Sequence, residues 1–89
     1  MTDVKDAAVR WIAKNIRERF PHEQRVVEMA ENLDAIAREY EVPLEILIGW
    51  IHLYPEELEP STEDFRARAE GYAVAREKAL EEVMKEEDD

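Results

Sequence analysis

Apolar residues recur at Val4, Ala8, Ile12, Ile16 and Phe20, with Trp11 beside them and polar residues between. A spacing of about one helical turn keeps such a set on one side, which predicts a helix from Asp3 to about Arg19. Pro21 stops it, and Pro21 also suits the first position of a following helix, where its missing N–H is not needed. Val26, Met29, Leu33, Ile36 and Tyr40 form the next helical stripe, unbroken through Asn32, so the second helix is expected from about His22 to Tyr40. Pro43 opens a third helix and Pro55 follows its end. Leu44, Ile46, Leu47, Ile48, Trp50, Ile51, Leu53 and Tyr54 make that helix apolar on nearly every face. Such a helix must be surrounded by protein, either as the central helix of a bundle or as the seam of an oligomer.

Residues 56–60 read as a linker with room for one helical turn, and Ser61-Thr-Glu-Asp64 has the form of a capping box. A long last helix follows, with Phe65, Tyr72 and Ala79 in register and Ala69, Ala73, Leu80, Val83 and Met84 alongside. Gly71 costs it about 1 kcal/mol relative to Ala, so this glycine is expected to permit close packing or to mark a bend. With no repeat and no strand pattern, the expected fold is all-α: a small four-helix domain over residues 1–86, with an acidic tail at 87–89.

Composition narrows the function. Eighty-nine residues make one domain, whose small core would gain from self-association. Without cysteine there is no disulfide, thiolate nucleophile or cysteine-bound zinc. Asp3 and Asp6 and the lack of a long apolar run speak against a signal peptide or membrane span, and the expected location is the cytoplasm. Twenty-three acids against twelve bases give a net charge of −11, concentrated where residues 77–89 hold seven acids and two lysines. An acidic surface repels nucleic acid and favours basic partners; its simplest role is solubility.

The segment 33–50 resembles a helix-turn-helix unit. Ala37 occupies the small position of the first helix, Glu41, Val42 and Pro43 make the turn, and Leu47 and Trp50 with Ile36 and Tyr40 match the packing positions. The resemblance implies a helix-turn-helix-like core and would put the helix from Pro43 into a DNA major groove. Glu41 stands where the family has Gly, so the turn must use another conformation or strain Glu41. The base-facing positions would be Leu44, Glu45, Ile48, Gly49 and His52, and no Lys or Arg lies between Glu39 and Phe65. Residues 26–61 are also similar to a LysM carbohydrate-binding module, through Val27, Ala30-Glu31-Asn32-Leu33, Ile36-Ala37 and Tyr40-Glu41-Val42. That resemblance implies strands at Val26–Val27 and at Thr62–Ala67.

Catalytic chemistry has little to stand on. Ser61 is explained as a cap, and no histidine lies near it in sequence. His22 with Glu23 reads as a surface pair and His52 as a hydrogen-bonded interface histidine, because neither belongs to a metal-ligand spacing. Neither glycine belongs to a phosphate loop, and no cofactor is expected. The chain is therefore read as non-enzymatic.

Three binding readings remain. The first is a protein-interaction module, an acidic adaptor or regulator and a homodimer, using the apolar third helix. Leu44, Ile48, Ile51, His52 and Tyr54 are its candidate contacts, with Trp50 and Tyr54 as anchors and Leu44, Ile48 and Ile51 expected to be exposed; the simpler account of Leu47 and Trp50 is core. The second is a helix-turn-helix DNA-binding regulator that would use Arg10, Lys14 and Arg17, a basic stripe on the first helix, with Arg19 and Arg25. That stripe could equally pair with neighbouring acids. The third is an acidic DNA mimic presenting Glu77, Glu81, Glu82 and the terminal acids.

Overall fold

A computed structural model describes residues 4–55 and 57–87. It contains four helices: α1 (Val4–Arg19), α2 (Val26–Glu39), α3 (Leu44–Leu53) and α4 (Thr62–Glu87). There is no strand among the described residues, so the all-α expectation holds, with a long C-terminal helix. Residues 26–27 and 62–67, where a LysM-like module would place strands, are helical. The tail boundary expected at 87 falls inside α4, and residues 88–89 lie outside the described set.

α2 is the hub, packing on α1, α3 and α4, while α1 also packs on α3. The stripes read from the sequence supply the core: Ile12, Ile16 and Phe20 from α1, and Val26, Ala30, Leu33, Ile36 and Ala37 from α2. Val42 from the turn, Leu47, Ile51 and Tyr54 from around α3, and Phe65 and Ala69 from α4 complete it. No helix among the described residues is long and apolar enough to cross a membrane.

The expected start of the second helix is corrected. α2 begins at Val26, and Pro21 lies in a turn through residues 20–25 instead of at a helix start. The cause is Phe20, which is buried and meets the Tyr54 ring edge-on at 5.8 Å, turning the chain inward before a second helix can begin. The turn is held by the Glu23 N–H donating to the Phe20 carbonyl at 3.1 Å and by the Arg25 N–H donating to the Glu23 carboxylate at 3.1 Å.

The α2–α3 connection is a Schellman closure. The Val42 N–H donates to the Ala37 carbonyl at 2.8 Å, bridging a Glu41 whose φ is 54°. This left-handed conformation normally belongs to glycine, so Glu41 carries the strain that its presence in the turn implies. Ala37 and Val42 are both buried, the apolar contact that accompanies such a closure. Arg76 of α4 reaches across and donates to the carbonyls of Tyr40 at 3.2 Å and Glu41 at 2.9 Å. A guanidinium there satisfies acceptors left over at the end of α2 and complements the negative end of its dipole. Pro43, at the N-cap position of α3, fixes the exit direction with φ −59°.

At α4 the capping-box expectation is modified. Asp64 accepts the Tyr54 hydroxyl at 2.7 Å, so one carboxylate oxygen is committed to the core side of the helix. Gly71 is exposed, and a Cβ built there meets nothing within 4 Å, so close packing does not explain it.

Candidate interaction surface

α3 is fixed in place by its buried residues. Leu47 and Ile51 have no exposed surface, and Tyr54 just beyond the helix stacks on Phe65 at 5.1 Å. Arg19 of α1 donates to the Tyr54 carbonyl from Nη2 at 3.0 Å, and the Glu59 carbonyl lies 3.1 Å from the Tyr54 hydroxyl. Burial first, and then the bond to Asp64, raises the Tyr54 pKa above its usual 10.0. Ionising that phenol would place a second negative charge beside a carboxylate in a poorly solvated site.

His52 is tied to α1 by a 2.7 Å contact between its Nε2 and Asn15 Oδ1. Asn15 in turn donates its amide to the Trp11 carbonyl at 2.9 Å, which orients its oxygen toward the histidine and assigns the proton to Nε2. The ring is exposed yet bonded within the chain.

The expected exposure pattern of this helix is corrected. Ile51 and Tyr54 are buried and belong to the core, and Leu44 and Ile48 are half-buried against it. Trp50 is half-buried too, meeting Tyr72 of α4 edge-on at 6.2 Å. The outward residues are Ile46, 38% exposed, and Leu53, 75% exposed. Ile46, Gly49, Trp50 and Leu53 follow one another at i, i+3, i+4 and i+7 and therefore share one face. The signal for Ile46 and Leu53 is present in the sequence only as two more apolar residues on a helix apolar all round.

The charged candidates lie elsewhere. Arg10, Lys14 and Arg17 are exposed on α1 away from its buried stripe, and Arg25 is exposed at the start of α2. Among the described residues none of Arg10, Lys14 and Arg17 forms an ion pair, so the pairing with neighbouring acids is not seen. Glu77, Glu81 and Glu82 are exposed on α4. His22 is exposed in the turn before α2 and lines an open cleft with the half-buried Glu23 and residues 57–60. No group of three metal-ligating side chains occurs among the described residues.

Comparison with known proteins finds no matching family model, no matching curated sequence and no matching solved structure.

Proposed function

We propose that this chain is a non-enzymatic protein-interaction module that meets its partner with the outward face of α3. The observation that carries the proposal is the exposed pair Ile46 and Leu53, flanking Gly49 and the half-buried Trp50 on a helix anchored by Leu47, Ile51 and Tyr54. An apolar, locally uncharged row on a rigid element, bordered by Glu45 and His52, has the composition of an interface centre with a polar rim. Holding the helix from both sides lowers the ordering cost of association.

The test is affinity capture from lysate of the source cells, with nuclease and without, comparing the native chain with an Ile46→Glu, Leu53→Glu variant. The proposal expects a nuclease-resistant protein partner that binds the purified native chain directly and does not bind a variant with unchanged circular dichroism. Retention of the partner by the variant would remove α3 from the interface.

The alternative, a helix-turn-helix DNA-binding regulator, draws on the left-handed turn at Glu41 and on the exposed stripe of Arg10, Lys14 and Arg17, which forms no ion pair among the described residues. α3 offers no cation for phosphates, so DNA would have to be met by α1. Titration of duplex DNA across salt concentrations separates the readings, because several phosphate contacts give a steep salt slope.

A further inference from the structure

α4 outruns the domain it belongs to. It is secured as far as Arg76, through Arg66 to Glu39 at 3.2 Å, the Tyr40 hydroxyl to Glu70 at 3.0 Å, and Arg76 to the end of α2. Residues 77–87 then continue the same helix for about 16 Å more, at a rise of about 1.5 Å per residue. Its apolar stripe continues with it. Phe65 and Ala69 on this stripe are buried, whereas Leu80, Val83 and Met84 further along it are 58%, 52% and 68% exposed. The partner helix ends first, because α2 stops at Glu39 and the chain turns away at Glu41. Glu77 and Glu81, one helical turn apart, border the uncovered part of the stripe.

α1 shows the complementary chemistry. In a chain of net charge −11, Arg10, Lys14 and Arg17 stand together without an ion pair among the described residues. Trp11, 43% exposed, lies next to them. Arg10 and Lys14 have the same one-turn spacing as Glu77 and Glu81, about 6 Å along their axes. Within one chain α1 and α4 each pack on α2, and no ion pair joins the basic stripe to the acids of α4 among the described residues.

We propose that a second copy of this chain joins them: the end of α4 from each copy lies along α1 of the other, pairing the acids with Arg10, Lys14 and Arg17 and covering the apolar stripe with Trp11. Such a reciprocal contact closes under two-fold symmetry. Charge decides against the simplest rival, in which the two α4 ends pair directly, because Glu77, Glu81 and Glu82 would then be brought together in both copies. Area decides the same way. Three partly exposed aliphatic side chains offer on the order of 300 Å², short of the roughly 800 Å² per partner typical of a stable interface, whereas two reciprocal contacts enlist both surfaces of each chain.

Sedimentation equilibrium of the full chain tests this with two charge-reversed variants, one carrying Arg10→Glu, Lys14→Glu and Arg17→Glu, the other Glu77→Lys, Glu81→Lys and Glu82→Lys. All six positions are exposed, so both variants should keep the native circular dichroism. The native chain is expected to dimerise, with affinity falling on the order of tenfold between about 0.05 M and 0.5 M salt. Each variant alone should weaken association on the order of a hundredfold, and an equimolar mixture should recover it as a heterodimer, because one contact is then native and in the other the two reversed surfaces carry opposite charges. Ile46→Glu, Leu53→Glu should leave the association intact, so failure here and failure of the α3 reading are separable. A native chain that stays monomeric, a dimer indifferent to salt or to reversal of α1, or a mixture that does not reassociate would overturn the proposal. So would a monomer whose α1 stripe binds duplex DNA with a steep salt slope.

Discussion

Replacing Glu41 with glycine should make the protein more stable even though it deletes a side chain that touches Arg76. A non-glycine residue in the left-handed region costs roughly 1–2 kcal/mol, and Glu41 sits there with φ 54°. Glycine relieves that cost but returns about 0.4–1 kcal/mol by enlarging the freedom of the unfolded chain. The ion pair that glycine removes is weak: the Glu41 carboxylate lies 3.7 Å from Arg76, and its side chain is 82% exposed. Solvent screening leaves such a pair about 0.2 kcal/mol. The Arg76 bonds to the backbone carbonyls and the Val42-to-Ala37 closure do not involve the Glu41 side chain and should survive. The net gain is about 0.5 kcal/mol, or roughly 2–4 °C in Tm for a domain of this size. Glu41→Ala is the control, because alanine also removes the carboxylate but keeps the strained Cβ; it should melt at or slightly below the native chain. Thermal unfolding by circular dichroism and urea midpoints would measure both. A glycine variant no more stable than the alanine variant would refute the account of this turn.

Three further outcomes follow from the same geometry. Gly71→Ala should stabilise by about 0.5–1 kcal/mol in urea unfolding, since the added methyl meets nothing within 4 Å and alanine is the better helix former; a drop in stability would mean that the site is filled by another chain. Asp34 is buried, with Oδ2 on Arg38 Nε at 2.9 Å and Oδ1 without a hydrogen-bond partner among the described residues. Arg38→Ala should therefore cost about 1–2 kcal/mol, discounted because Arg38 is half-exposed, and adding Asp34→Asn should recover part of it by removing the buried charge; equal urea midpoints for the single and double variants would argue against it. Because the folded-state pKa of Tyr54 is raised, the stability it contributes is complete below pH 10.0 and is lost as the pH climbs through the folded value. Tyr54→Phe should lower stability by about 1 kcal/mol at neutral pH by removing the bond to Asp64, and should flatten the decline above pH 10.0 in pH-resolved urea titrations.

The number and order of the helices are legible in the chain because periodicity is local. Three apolar stripes and one run apolar all round, separated by proline-bearing joints, name four helices, and Ile12, Ile16, Leu33, Ile36, Phe65 and Ala69 are buried on the faces that the spacing indicates. At Glu41 the sequence leaves two choices, another conformation or a strained one, and the structure takes the strained one with φ 54°. The start of α2 is not legible either, because Pro21 is compatible with either a helix start or a turn. Phe20 packing against Tyr54, a contact between residues far apart in sequence, makes the choice.

Faces are what the tertiary structure alone decided. A helix apolar all round carries no phase information, so the sequence by itself determined that α3 is embedded but not which side is covered. The positions of α1, α2 and α4 bury Ile51 and leave Ile46 and Leu53 outside. The stripe of α4 has clear phase, and the sequence determined its direction, yet burial also needs a neighbour of equal length. α2 ends first, so Leu80, Val83 and Met84 continue a core-like face beyond the core. Periodicity tells a residue which way to point; only the placement of other elements tells it whether anything is there.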